Sequence, residues 1–164
     1  MKSGPLPLRS IVVTFVLALA FYIIAYSWLS KRQTGKGPWQ VTFTNDVAGT
    51  PEIIVNQLAL GISNVIVRLS DEKLAPTNSV GTVSFVRPNL AVPFGTLLFD
   101  DLMFLPGTVT LDLFGHEVEL LPRVLVLNRK EVPWQSSAVH SLATTDKLPA
   151  EVRSKTKGGY EKQR

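Results

Sequence analysis

Two adjacent carboxylates are the first residues in this sequence whose side chains could do chemistry. Placed in a turn, Asp100 and Asp101 could help to bind Ca²⁺, which prefers oxygen ligands. Neighbouring residues of a strand point to opposite faces, so within a strand the pair cannot share a proton or a ligand. No spaced ligand motif accompanies the pair. We therefore interpret it as an ordinary acidic turn and predict no metal site.

The two histidines, His116 and His140, lack the partners that a catalytic or metal-binding imidazole needs. His116 follows a hairpin glycine and is expected to be an exposed turn residue, while His140 falls in the polar C-terminal part. The serines lack the strand–elbow–helix context of a nucleophile. Cysteine is absent, which excludes disulfides and thiolate chemistry. We predict a protein that is not an enzyme and needs no cofactor.

The charges are unevenly distributed along the 164 residues. Residues 1–37 contain five basic and no acidic residues, residues 38–146 contain six basic and eleven acidic residues, and residues 147–164 contain six basic and two acidic residues. The high isoelectric point therefore belongs to the two ends of the chain. A nucleic-acid-binding domain needs a basic surface on its folded part, so we expect no nucleic-acid partner.

A long apolar segment near the N-terminus predicts a membrane helix. Residues Ile11–Leu29, with the sequence IVVTFVLALAFYIIAYSWL, provide nineteen positions without a charge. A helix of that length spans about 28 Å, which is close to the thickness of the hydrocarbon core of a bilayer. We expect a single transmembrane helix between a short tail, residues 1–10, and a linker, residues 30–38.

The C-terminal end of this segment is typical of a membrane interface, because Tyr26 and Trp28 are followed by Lys31 and Arg32. The alternative is a cleaved signal peptide, for which Ala25–Ser27 offers small residues at a cleavage site. The length of the apolar run and the aromatic residues around that site favour an uncleaved signal anchor. The basic residues on the two flanks are nearly balanced. A short N-terminal tail that stays in the cytoplasm favours a domain on the extracytoplasmic (periplasmic) side.

Residues 39–135 are expected to form an all-β domain. Short runs rich in Val, Ile, Thr and Phe are bounded by Gly, Pro, Asn or Asp, without helical periodicity beyond a single turn. About seven or eight such strands fit an antiparallel β-sandwich of immunoglobulin-like size, with a small barrel as the alternative. Residues 136–164 lack hydrophobic periodicity and are expected to be a disordered basic tail.

The clearest local prediction is a β-hairpin. Thr108–Leu113 and Glu117–Leu120 alternate polar and apolar residues, and Gly115 between them can adopt a positive φ. One set of residues is predicted to share the buried face: Val109, Leu111, Leu113, Val118 and Leu120. The alternate set is predicted to face water: Thr110, Asp112, Glu117 and Glu119.

Two tryptophans, Trp39 and Trp134, bracket the predicted domain, each directly after a proline. We predict that the first and last strands lie near each other and that the two tryptophans meet at the membrane-proximal end. The alternative is that each tryptophan fills its own end of the core.

Two apolar segments that contain proline, Leu90–Phe94 and Leu102–Pro106, flank the strand at 95–101. Proline marks such segments as edges or loops, and apolar surface exposed there would bind a partner. The alternative is that these loop residues fold back over the core. The candidate partner-binding residues are Trp39, Leu90, Val92, Phe94, Leu102, Met103, Phe104 and Leu105.

The sequence favours a non-enzymatic accessory subunit held in the lipid bilayer and bound to another membrane protein or envelope complex. The alternative is a tethered module that binds a glycan or another extracytoplasmic ligand, which would need exposed aromatic residues on one concave face. A small-molecule ligand is not expected.

Overall fold

The computed structural model describes residues 8–33, 35–74 and 80–149. They belong to two compact units: an N-terminal unit that ends at Gly35 and a β domain that begins at Lys36.

The N-terminal unit contains one helix, α1, which spans Leu8–Gln33. Its segment Arg9–Lys31 is long and apolar enough to cross a membrane, which fits either a single-pass anchor or a signal sequence. The helix is longer than the predicted Ile11–Leu29, and it includes all four residues assigned to a membrane interface: Tyr26, Trp28, Lys31 and Arg32. The linker expected from residue 30 therefore begins as helix, because its first residues continue the hydrogen-bonded turns of α1.

Among the described residues, ten strands form two five-stranded sheets. The first sheet has the spatial order β10-β3-β2-β1-β4 and consists of β1 (Gln40–Asn45), β2 (Pro51–Gln57), β3 (Ile62–Leu69), β4 (Gly81–Ser84) and β10 (Val139–Leu142). The second has the order β5-β6-β7-β8-β9 and consists of β5 (Thr96–Asp101), β6 (Thr108–Leu113), β7 (His116–Leu120), β8 (Val124–Leu127) and β9 (Lys130–Pro133). Two short 3₁₀ helices lie at Leu58–Leu60 and Thr144–Asp146.

Both sheets contribute to one hydrophobic core, so the arrangement resembles a sandwich. Alternate residues of the strands point into this core, as the period of two in their apolar residues predicts. The largest fully buried apolar side chains are those of Trp39, Phe43, Ile53, Leu69, Phe85, Leu111, Leu113, Leu120 and Leu125.

The predicted hairpin is present as β6 and β7. Leu113 pairs with His116, and Phe114 and Gly115 between them have φ values of 53° and 91°, as in a two-residue type I′ turn. All five apolar residues predicted for the buried face are buried.

The prediction that the alternate residues of this hairpin face water is wrong for Thr110 and Glu117, which are buried. Thr110 lies on a central strand opposite Phe99 on one side and Glu119 on the other. The larger cross-strand neighbours shield the small side chain from water.

The C-terminal part of the domain corrects two further predictions. The strand pairs are antiparallel except for β10, which runs parallel to β3. Residues 136–149, expected to be part of a disordered tail, contain β10 and a 3₁₀ turn. An ion pair between Lys147 and Glu72 and a 2.7 Å hydrogen bond from Thr144 N–H to the Asp71 carboxylate hold this segment to the end of β3. The rest of the predicted tail, residues 150–164, lies outside the described residues.

Candidate binding site

A cleft of about 560 Å³ lies between β9 and β10, where the two sheets end side by side. Residues 134–138 carry the chain from one sheet to the other, so the two strands come from consecutive parts of the sequence. The cleft is lined by Leu127, Asn128, Lys130, Val132, Val139, His140, Ser141, Leu142, Thr145, Asp146 and Leu148. Its walls are therefore partly aliphatic and partly polar.

An unpaired nitrogen of His140 is the most unusual group in this cleft. In β10, Val139 and Ser141 share one face and are exposed. His140 and Leu142 share the other face, where His140 is half-buried and Leu142 is buried. The Nε2 atom of His140 is buried and has no hydrogen-bond partner among the described residues. A buried polar atom without a partner costs about 1–3 kcal/mol. A bound group that formed a hydrogen bond with this nitrogen would remove that cost.

The second feature of the cleft is the outer edge of β10. Ile66 N–H donates to the Ala138 carbonyl at 2.9 Å, and Ser70 N–H donates to the Leu142 carbonyl at 2.9 Å. In a parallel pair, alternate residues of a strand direct their backbone groups to the same side. The N–H and C=O groups of Val139 and Ser141 therefore point away from β3, toward a side where no strand lies in the described part of the chain. Such an edge can accept an additional strand.

One end of the cleft is fixed by the turn between β8 and β9. Asn128 and Arg129 form this two-residue turn, with φ values of 49° and 68°. The Oδ1 atom of Asn128 accepts the Glu117 N–H at 3.0 Å, so its amide nitrogen faces His116 Nδ1, also at 3.0 Å. The amide donates to the imidazole, which assigns a neutral His116 with its proton on Nε2.

The prediction that His116 is an exposed turn residue is wrong, because its side chain is only 1% exposed. Burial lowers the pKa of His116, and the positive charge of Lys147 lowers it further. Carboxylates of the nearby Glu72, Asp146 and Asp112 act in the opposite direction. Its place directly after Gly115 predicts exposure, but the alternation of β7 puts His116 on the same face as the buried Val118 and Leu120.

An acidic pair lies outside the cleft, on the outer face of the second sheet. Burial, followed by the hydrogen bond and the negative charge of Glu117, raises the pKa of Glu119 to about 7. Arg129, whose Nε lies 4.0 Å from Glu117 Oε1, acts against this shift. In the described parts of the chain, no group of three or more His, Asp or Glu side chains is arranged to hold a metal ion.

Asp100 and Asp101, the pair considered for Ca²⁺, end β5 and bind backbone groups of nearby loops. Asp100 Oδ2 accepts the Asn89 N–H at 2.8 Å, and Asp101 Oδ1 accepts the Met103 N–H at 3.1 Å. These bonds stabilise local turns.

The eight predicted partner-binding residues occupy different environments. Trp39 and Phe94 are buried in the core, which corrects their assignment as surface contacts. The indole N–H of Trp39 donates to the Gly107 carbonyl at 3.0 Å, and the ring of Phe94 contacts Phe43 edge-on at a centroid distance of 5.0 Å. Leu90, Val92 and Leu102 pack against the core from partly buried positions, and Leu105 is also half-buried.

Two of the eight residues, Met103 and Phe104, are exposed, by 66% and 53% respectively. The prediction of an exposed apolar surface therefore applies to the tip of the β5–β6 loop and not to the whole of both segments. No pattern in the sequence predicts the β9–β10 cleft. β10 is only four residues long and lies in a polar region, which leaves no periodic signal that could have revealed it.

No protein-family model, curated protein or solved structure matches this chain.

Proposed function

We propose that this chain is a single-pass, membrane-anchored accessory subunit whose β-sandwich binds an extended segment of another membrane or envelope protein. The binding site is the cleft between β9 and β10, on the extracytoplasmic side. One observation carries the proposal: the outer edge of β10, where the backbone groups of Val139 and Ser141 point away from β3, borders a cleft that His140 also lines. In this proposal α1 is retained as the anchor, and the protein has no catalytic role.

An extended polypeptide fits both features of the cleft. A strand added to an edge gains main-chain hydrogen bonds, and its alternate side chains enter pockets beside the edge. Here the outward-facing backbone groups of Val139 and Ser141 supply the first type of contact. The side chains of Leu127, His140 and Leu142, which line the cleft, supply the second.

The alternative function, recognition of a glycan, finds less support in this cleft. A glycan-binding surface was expected to gather exposed aromatic rings on one concave face. The residues that line the cleft in the described structure are aliphatic and polar, apart from the imidazole of His140, and include no Trp, Tyr or Phe. A polypeptide is the better match to this lining.

Site-specific photo-crosslinking of the full-length protein in its native membrane tests this proposal. A photoreactive amino acid replaces Val139, which is exposed in the cleft, or Val47, which is exposed in the turn between β1 and β2. We expect position 139, but not position 47, to form one discrete adduct whose second component mass spectrometry identifies as a membrane or envelope protein.

A proline substitution tests the mode of binding. Ser141→Pro removes an N–H that points away from β3, so pairing with β3 is retained while an added strand loses a donor. Ser141→Ala is the matched control, because it keeps that N–H. We expect Ser141→Pro to abolish the adduct at position 139 and Ser141→Ala to preserve it, with unchanged thermal unfolding in both. The absence of an adduct at position 139, or equal adducts at positions 139 and 47, contradicts the proposal.

A further inference from the structure

The loops at one end of the β domain carry a group of exposed apolar side chains. Seven large apolar side chains are exposed in the described part of this domain, and four of them belong to this group: Leu58, Val86, Met103 and Phe104. We call these four residues the apolar rim and the end of the domain that carries them the Trp39 end.

Four hydrogen bonds bring the loops of the apolar rim together around residues 37–39. The Trp39 indole N–H donates to Gly107 at the base of the Met103–Phe104 loop, at 3.0 Å. Phe85 N–H donates to the Trp39 carbonyl at 3.0 Å, which holds the segment that contains Val86. The Gln57 side-chain amide donates to the carbonyls of Gly37 and Pro38 at 2.9 and 2.8 Å, which holds the 3₁₀ turn that contains Leu58.

Basic residues surround the same end of the domain. Lys36, Arg87 and Arg123 are exposed there. Arg123 belongs to the β7–β8 connection, whose Leu121 carbonyl accepts the Trp134 indole N–H at 2.8 Å. The two acids at this end, Asp100 and Asp101, accept backbone N–H groups through their carboxylates. Asp101 is exposed and Asp100 is half-buried, so the three exposed basic side chains outnumber the exposed acid.

The combination of exposed apolar and basic residues is typical of surfaces that bind anionic membranes. In such surfaces the apolar side chains enter the acyl boundary, and Lys and Arg meet the headgroups. A protein interface can also combine Met, aromatic and Arg side chains. The choice between the two partners therefore rests on how close this end of the domain lies to α1 along the chain.

Along the sequence, only residues 34–38 separate the last residue of α1 from Trp39. The six Cα–Cα steps from Gln33 to Trp39 span at most about 22 Å even when fully extended. An anchor that stays in the bilayer would therefore keep the Trp39 end close to a membrane surface.

We propose that the Trp39 end binds the lipid bilayer, with Met103 and Phe104 inserted at the headgroup–acyl boundary and with Lys36, Arg87 and Arg123 on anionic headgroups. This inference rests on the proposed retention of α1 as an anchor. It adds a lipid contact by the β domain itself, separate from the β9–β10 cleft. Contact with the bilayer would also fix the orientation in which the cleft is presented to a partner.

Fluorescence of the full-length protein in vesicles tests the lipid contact. Because the chain contains no cysteine, Met103→Cys provides a single labelling site for an environment-sensitive fluorophore. Val47→Cys, at the opposite end of the domain, is the matched control. The vesicles contain equal parts of phosphatidylcholine and phosphatidylglycerol, with or without a nitroxide quencher on the acyl chains.

We expect the label at position 103 to emit at shorter wavelength and to be quenched several-fold more than the label at position 47. The difference should shrink in pure phosphatidylcholine and in the double variant Arg87→Gln/Arg123→Gln. Equal, water-like emission at both positions would overturn the proposal. A blue shift that grows with the protein-to-lipid ratio, but without quenching by the nitroxide lipid, would also overturn the proposal. It would indicate contact between two copies of the protein.

The intact mass of the purified protein and its resistance to alkaline extraction test the anchor separately. If α1 has been removed, the anchor proposal fails, and flotation of the remaining protein with the same vesicles then tests the lipid contact. Flotation that is lost in Met103→Ser/Phe104→Ser supports lipid binding, and no flotation of the unaltered protein overturns it.

Discussion

The indole rings of Trp39 and Trp134 lie against each other, with centroids 5.3 Å apart and an interplanar angle of 31°. Trp39 precedes β1 in the first sheet, and Trp134 follows β9 in the second. Each indole also donates its N–H to a loop carbonyl, of Gly107 and of Leu121 respectively. The prediction that the two tryptophans meet is confirmed, and the contact joins the two sheets where the chain enters the β domain.

We expect Trp39→Ala to lower the free energy of unfolding by about 3–5 kcal/mol, because it removes a fully buried aromatic ring. Trp134→Ala should cost less, because Trp134 is half-buried. Denaturant unfolding of the full-length protein in detergent, followed by near-ultraviolet circular dichroism, measures both effects. The double variant should show a coupling of about 0.5–1.5 kcal/mol. Strict additivity would mean that the ring contact contributes nothing.

Gly107 should tolerate a side chain less well than Gly61, although both have positive φ, of 65° and 72°. A Cβ atom at Gly107 would lie 2.0 Å from the Asp101 carbonyl oxygen, whereas nothing lies within 4 Å of one at Gly61. Gly61→Ala should cost about 1–2 kcal/mol from the left-handed backbone alone. Gly107→Ala should add about 1–3 kcal/mol from overpacking. Equal losses in thermal or denaturant unfolding would contradict this account of the β5–β6 loop.

Glu119 should make the β domain less stable at alkaline pH. Burial and Glu117 raise its pKa to about 7 from an ordinary value of 4.5, so the folded state favours the protonated carboxyl. The stabilising contribution of that carboxyl is fully present below pH 4.5 and is lost as the pH rises through 7. Glu119→Gln mimics the protonated carboxyl and should raise the unfolding temperature at pH 8, with little effect at pH 4.5. Glu131→Gln, at an exposed position of the same sheet, is the control. A lower unfolding temperature for Glu119→Gln at both pH values would contradict the prediction.

His116 should make the domain sensitive to acid. Its pKa is lowered from 6.5, mainly by burial, so its contribution to stability is present above 6.5 and is lost as the pH falls below that value. An NMR titration of the imidazole should give a midpoint below 6.5. Asn128→Asp would place a carboxylate beside the ring and should raise that midpoint. A midpoint at or above 6.5 in the unaltered protein would contradict the assignment of a buried, neutral imidazole.

The sequence by itself determined the features that depend on neighbouring residues. The uncharged run in α1 predicts a helix long enough to cross a bilayer. The alternation in β6 and β7, with Gly115 between them, predicts both the hairpin and its buried face. Such patterns are readable because backbone geometry repeats over a few residues.

Only the tertiary structure decided the features that depend on distant residues. The strand β10 forms because β3, some seventy residues earlier in the chain, offers it backbone partners, and its own four residues carry no strand pattern. The unpaired nitrogen of His140 belongs to this strand, and the charges of Asp146 and Lys147 act on His116 from the segment that follows it. A single sequence contains no signal for such contacts, because they depend on how strands remote in the chain meet around a shared core.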